Sequence, residues 1–297
     1  MNFFKALILI FFISFPIFAS DETKLRNNIV NSFTNSLSEA VENFLNGEGD
    51  TKVQINVGED YKPEFSIVTV RPISKHHSVD ATFIQLQLNE QKIRGEGRLS
   101  TNIGIGYRKL SDSKDSITGA NIFLDYDEKG NARASIGIEL KSSSFEVLGN
   151  YYTAISGGKT VGSFTERTLG GTDLIVVGQV PYLPWMNVVG KHYEWEAEKN
   201  SKNSRGDKIS LEMQLTPNLV TEIGYDDNNI VGTSNYAKIM FVYPARETKP
   251  AATTDIVSET AFVQNDMSIE LLSIVRRTNK QIIESEGTGV VIARASE

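Results

Sequence analysis

The sequence predicts an all-β protein, a transmembrane barrel of twelve antiparallel strands, and three observations carry that expectation. Apolar residues alternate with small or polar ones from residue 51 to 243. The connections between these runs are tight on one side and long and polar on the other. Beyond residue 20, no apolar run approaches the roughly 20 residues that a membrane-spanning helix needs. Composition narrows the field further. Thirty Lys and Arg against 37 Asp and Glu leave no basic face for a phosphate backbone, so nucleic acid is not an expected partner. With no Cys there is neither a disulfide framework nor a thiolate metal site, and no cofactor is expected.

The chain opens on a targeting segment, residues 1–19. Lys5 supplies one positive charge, residues 6–18 are almost wholly apolar, and Ala19-Ser20 stands before the acidic pair Asp21-Glu22. That is the order of a signal peptide, cleaved after Ala19 or Ser20. Residues 20–50 then read as a short periplasmic helix, because Leu25, Ile29, Phe33, Leu37, Val41 and Phe44 draw one stripe before Gly47 and Gly49 stop it. An exported chain without a spanning helix is either soluble outside the cytoplasm or a β-barrel of the outer membrane.

Residues 51–243 hold twelve candidate strands: 51–57, 65–71, 81–88, 98–108, 116–126, 132–141, 145–153, 173–179, 187–196, 208–215, 219–226 and 236–243. In the fourth, Ile103, Ile105 and Tyr107 alternate with Asn102, Gly104, Gly106 and Arg108. A soluble barrel alternates too, so the loops and the polar face decide. Residues 142–144 and 216–218 make tight turns on the side that holds both barrel ends, whereas 154–172 and 197–207 are the longest connections on the other. This asymmetry is that of outer-membrane barrels, with the long loops outside the cell. The polar face, rich in Gly and charge, suits a wet lumen. Aromatics near strand ends, among them Tyr107, Tyr126, Tyr151, Tyr152, Tyr182, Trp185, Tyr193 and Trp195, are candidates for interfacial girdles.

An ordered set of short pieces then narrows the family. Gly106-Tyr107-Arg108, residues 119–127 (GANIFLDYD), Arg133 with residues 137–139, Asn150-Tyr151-Tyr152 with Ser156-Gly157, Glu166-Arg167 ahead of Gly171-Thr172-Asp173, and residues 178–184 follow in order. Residues 275–279 (VRRTN) to Glu284 come later. Over about residues 41–284 the chain resembles the inverse autotransporter β-domain of the intimin and invasin family. The resemblance implies a twelve-stranded outer-membrane barrel with a periplasmic N-terminus, whose C-terminal segment passes back through the lumen and carries a passenger to the surface. Residues 20–50 leave no room for the peptidoglycan-binding module of larger members. Residues 244–297 are far too few for immunoglobulin-like domains of roughly 100 residues each, so the passenger is expected to be absent.

Several residues carry the functional expectation. Arg108, Asn121, Asp125, Arg133, Glu139 and Asn150 share the inferred lumen face, where they form a polar ladder that satisfies itself or holds the returning segment. Ile239, Phe241 and Tyr243 end the last strand on one face. They resemble the assembly signal by which outer-membrane barrels are recognised for insertion, and they also read as an ordinary lipid-facing stripe. Residues 244–260 read as a linker by composition, and residues 267–286 as a partly helical plug whose Arg276, Arg277 and Asn279 face the lumen, or else as a loose periplasmic tail. The histidines are His76, His77 and His192. The first two fall in a turn and the last on a lumen position, so no metal site and no catalytic constellation is legible.

The expected function is that of a translocator barrel. Its partners are outer-membrane lipid, the barrel-assembly and periplasmic chaperone machinery, and an unknown surface partner reached through loops 154–172 and 197–207. The rival readings are a small pore left open by the tail, a surface-interaction protein, and a soluble periplasmic ligand-binding barrel.

Overall fold

The computed structural model describes residues 48–57, 63–73, 79–199, 202–286 and 289–291. The predicted signal peptide with Ala19 and Ser20, most of the predicted N-terminal helix, and the pair His76-His77 lie outside the described residues. The chain forms β1 Thr51–Val57, β2 Pro63–Pro72, β3 Asp80–Ile93, β4 Glu96–Leu110, β5 Ser116–Asp127, β6 Ala132–Ser142 and β7 Phe145–Ala154. A small hairpin of β8 Lys159–Val161 and β9 Phe164–Thr168 interrupts, and β10 Gly171–Val180, β11 Leu183–Trp195, β12 Ser204–Thr216, β13 Leu219–Asn228 and β14 Gly232–Tyr243 complete the set. Twelve of these close an antiparallel barrel in the order β1-β14-β13-β12-β11-β10-β7-β6-β5-β4-β3-β2. Closure is made by β1, which pairs with β2 on one side and with β14 on the other, Thr51 opposite Tyr243. No sheet edge is left in the wall, so every strand can satisfy its main chain without water.

The even strand number puts both barrel ends at one rim, here called the turn end, where β12 and β13 are joined by only Pro217 and Asn218. The opposite rim, the loop end, carries the long connections 155–170 and 196–203. The first of these is not irregular: it contains the β8–β9 hairpin, which the sequence pattern does not announce because strands of three and five residues are too short to show a period. Barrel strands also run past the alternating cores read from sequence. β3 and β4 continue to a two-residue turn, Arg94-Gly95, with φ of 54° and 84°, the left-handed geometry that matches strand twist.

The wall is inside out relative to a soluble barrel. Ile138 is 70% exposed on the outer face, while Arg108 and Arg133 are fully buried on the inner one. Ile103, Ile105, Ile122, Leu124, Ile136 and Leu174 extend the outer apolar belt, and Gln85, Asn102, Asp125 and Glu139 line the inside. This is the polarity that a lipid surround requires. Parity sorts the aromatics as well. Tyr107, Tyr126, Tyr151, Tyr225, Phe241 and Tyr243 face out, but Tyr152, Tyr193 and Trp195 are buried inside and do not join a girdle, and Tyr182 is exposed in the turn between β10 and β11. A one-residue step along a strand reverses the face, and proximity to a strand end does not reveal it.

Two glycines shape the inner wall. Gly106 stands opposite Phe83 across β3–β4, and Gly104 opposite Phe123 across β4–β5. A Cβ at either position would fall 2.2 Å from the facing ring, so only glycine lets the rings lie flat on the sheet. Each ring then floors an arginine: Arg108 lies 4.5 Å above Phe83 and Arg277 lies 4.4 Å above Phe123. Gly106→Val is expected to lift Phe83, displace Arg108 and lower the temperature at which the folded, fast-migrating band converts to the unfolded one on a semi-native gel. A wild-type transition in that variant contradicts this account of the wall.

Candidate functional site in the lumen

After Tyr243 the chain does not hang free. Arg246 N–H donates to Pro217 O (2.8 Å), Ala252 N–H to Gln214 O (2.9 Å), Ser258 N–H to Tyr182 O (2.9 Å) and Met267 N–H to Lys114 O (2.9 Å). Residues 244–266 are thus a strap laid across the turns of the turn end, not the linker that composition suggests. Turn carbonyls left over from the sheet supply its partners. Arg246 pairs with Asp50 and Lys249 with Glu270. Burial disfavours both charged forms, yet Lys249, Arg246 and Lys141 hold Glu270 well below the usual carboxylate range, and Asp50 and Glu270 raise Arg246 above its own.

From Met267 the chain enters the barrel and runs through it to the loop end. Met267–Glu270 is a single 3-10 turn capped by Asp266, Leu271 and Leu272 continue as turn, and residues 273–282 have no regular secondary structure, so the helical part of the expected plug is confined to one turn. A helix would satisfy the main chain internally, whereas here side chains of the wall do so. Gln85 Oε1 accepts from Val275 N–H (2.8 Å), and Tyr152 OH accepts from Thr278 N–H (2.7 Å). Arg108 donates to Leu271 O (3.0 Å), Arg133 to Thr278 O (2.7 Å) and Asn102 to Asn279 O (2.9 Å). The tail is built into the wall as if it were an extra strand bonded by side chains.

Its charges are clamped from opposite sides. Arg277 makes a bidentate pair with Asp125 (3.0 and 2.8 Å) and reaches Ser135 (3.0 Å). Arg133 shares Asp125 (2.9 Å) from the next strand, and Asn102 donates to the same carboxylate (2.7 Å). Arg276 turns the other way, to Glu212 (3.0 and 2.7 Å) and Glu146 (3.1 Å). Asp173 accepts from Asn150 (2.7 Å), Tyr152 (2.8 Å) and Thr278 (Oγ1, 2.5 Å). Nearer the turn end, Arg108 pairs with Glu139 (2.5 and 3.1 Å), and Lys141 donates to Ser273 (3.0 Å). Asn121 lies buried in the same face over Gly137, with its carbonyl oxygen unpartnered. Asn279 closes the set, its side-chain oxygen accepting from Arg277 (3.0 Å).

Apolar clusters bracket this polar layer. At the turn end Met267, Leu271, Leu272 and Val275 pack on Val70, Phe83, Leu110 and Phe123. At the loop end Ile282 packs among Tyr152, Leu169, Tyr193 and Trp195. Beside the tail a cavity of about 250 Å³ remains, lined by Lys52, Gln54, Lys208, Glu212 and Lys238 among others. His192, expected inside, faces out: it stands opposite the exposed Leu174 and pairs with Asp207 (2.8 Å), because its parity on β11 is that of Val188 and not of Tyr193. Ile239, Phe241 and Tyr243 are exposed on the outer face of β14, beside Ile55, Val53 and Thr51 of β1. Among the described residues no three His, Asp or Glu side chains converge as metal donors.

The profile of the inverse autotransporter β-domain matches residues 17–279. The chain belongs to that family. It is similar to an attaching and effacing protein homolog of Escherichia coli (strain K12), 24% identical over 213 residues, which cover 68% of this chain and 70% of that protein. Among solved structures, a chain from work on the in-meso crystallization of membrane proteins superposes with a TM-score of 0.64 at 19% identity, over 80% of this chain and all of the other. The KdgM porin follows at a TM-score of 0.44 and 6% identity, over 65% of this chain and 98% of its own. The protein is accordingly an outer-membrane barrel of the inverse autotransporter type.

Sequence reasoning named both sides of the Arg277–Asp125 clamp but only the arginine of the Arg276 clamp. Gln85, Asn102, Glu146, Asp173 and Glu212 all share the lumen parity of their strands, which is a usable signal, but which of them meets the tail depends on distances across the barrel, where no sequence spacing applies. Asp125→Ala would strand two buried guanidinium groups and is expected to cost about 3 kcal/mol or more. The expected readout is a tail that becomes protease-sensitive within residues 267–286 in detergent while the barrel band persists. A tail as resistant as the wild type argues against the clamp.

Proposed function

We propose that this barrel is a translocator whose own C-terminal segment, residues 267–286, is its threaded substrate, carried from the periplasm through the lumen to the cell surface. One observation supports it above others: the tail runs from the turn end to the loop end as a largely irregular chain whose main-chain and charged groups are met by the wall. On this reading the turn end is periplasmic and the loop end extracellular. Arg108, Asp125, Arg133, Glu139 and Asn150 form the seat of the tail, and Arg276, Arg277 and Asn279 are the groups seated. Residues 1–19 are the cleaved export signal; of the stretch 20–50 expected as a helix, the described residues 48–50 are bends and irregular chain. Ile239, Phe241 and Tyr243, adjacent to the closing strand β1, present the stripe read by the barrel-assembly machinery after periplasmic chaperones deliver the chain. Loops 154–172 and 197–207 face any surface partner.

The protein has no Cys, so single cysteines report sidedness directly. With Glu286→Cys and, separately, Lys202→Cys, a membrane-impermeant maleimide is expected to label both on intact cells. Labelling at 202 alone would mean a tail that does not emerge, and labelling at neither, with protein in the soluble periplasm, would sink the membrane reading.

A second reading, a narrow pore, draws on the cavity beside the tail. Deleting residues 267–297 is expected to raise single-channel conductance in planar bilayers many-fold over the intact chain. Equal conductance would mean that the tail does not occlude the lumen.

A further inference from the structure

Where the tail leaves the lumen it joins two other segments. Ile283–Glu286, β15, pairs antiparallel with β9, placing Ile283 opposite Thr168, Glu284 opposite Arg167 and Glu286 opposite Thr165. The pairing starts one step earlier, where Leu169 N–H donates to Ile282 O (2.8 Å). With Gly289–Val291, β16, the four strands form a separate sheet in the order β16-β15-β9-β8. A two-stranded hairpin with strands of three and five residues is marginal in water, and a third strand is what such a ribbon needs. The tail provides it.

The hairpin is pinned at its other side to the barrel mouth. Glu166 of β9, fully buried, accepts from Arg98 (2.5 and 3.0 Å) and pairs with Arg94 (3.1 Å), which also stacks on Phe164 (4.0 Å). The second long connection is tied to the tail as well. Glu284 is 1% exposed, and its two carboxylate oxygens accept the main-chain N–H groups of Glu198 (3.1 Å) and Lys199 (2.7 Å). A buried carboxylate that receives two amides fixes the backbone that donates them, since neither side can be left unpaired cheaply. One strand of the tail therefore completes the sheet of the first loop and caps the second.

We propose that the loop end of the barrel is ordered by threading: the connection 155–170 and residues 196–199 take their conformation only when Ile283–Glu286 has emerged beside them, with Glu284 as the positioning residue. The inference rests on the threading reading above.

The test uses the full chain on intact cells, in the background of Glu286→Cys. Glu284→Ala is expected to speed tryptic cleavage after Lys199 and Lys202 several-fold, with the thiol introduced at position 286 still labelled from outside and the barrel band unchanged on a semi-native gel. Glu284→Gln, which keeps one amide-accepting oxygen, is expected to fall between. Arg167→Pro removes a β9 donor on the β15 side, by alternation from Leu169, and is expected to expose the first loop at Lys159 in the same assay. Cleavage at wild-type rates in Glu284→Ala and Arg167→Pro, with position 286 labelled, would overturn the ordering of the loops by the tail while leaving threading intact. Absence of label at position 286 in the parent would overturn both.

Discussion

Two arginines, Arg133 on the wall and Arg277 on the tail, share the carboxylate of Asp125, and none of the three meets water. Each guanidinium also directs further donors to oxygen atoms of the other partner's surroundings: Arg133 to Thr278 O, Arg277 to Ser135 Oγ. Removing Asp125 leaves two guanidinium groups without their shared carboxylate in a low-dielectric interior, which costs far more than a pair gains by forming. The barrel and its tail are for this reason one structure at mid-height. Above and below, apolar clusters close over the polar layer and keep its dielectric low.

The path of the tail follows from the roughness of the wall. Gly104 and Gly106 let Phe123 and Phe83 lie flat, and the rings carry Arg277 and Arg108 at heights where the tail can use them. Long polar side chains from the wall then reach the tail's main chain, so it has no reason to coil. Arg276 and Arg277 turn to opposite walls, and Glu146 and Glu212 on one side answer Asp125 on the other. The strap at the turn end and the added strand at the loop end anchor the two exits by main-chain bonds, which are indifferent to side-chain identity.

Much of this was legible before any coordinates. Period-two alternation locates twelve strands, and parity puts Arg108, Asp125, Arg133, Glu139 and Asn150 on one face, where the structure buries them. The same parity, applied strictly, would have placed Tyr152, Tyr193 and Trp195 inside and His192 outside. Reading aromatics by their nearness to strand ends obscured it. The β8–β9 hairpin escaped because short strands show no period, and the strap because its order comes from hydrogen bonds to turns and not from composition. The apolar spacing of the plug suggests a partly helical segment, but main-chain partners supplied by Gln85, Arg108, Arg133 and Tyr152 take the place of helical bonds beyond the one 3-10 turn.

By itself the sequence determined the class: an alternating wall with its apolar face outward, an even strand count with both ends at one rim, and a set of ordered motifs that belongs to one family. Those are local properties, set by neighbours along the chain and by the two faces of a strand. Only the tertiary structure decided which carboxylate meets which arginine, that the tail threads the lumen with side chains of the wall as its main-chain partners, and that it surfaces between two loops. These depend on groups brought together by closure of the barrel, such as Lys280 with Glu64 or Glu284 with Lys199, and sequence separation holds no information about distance across a closed sheet.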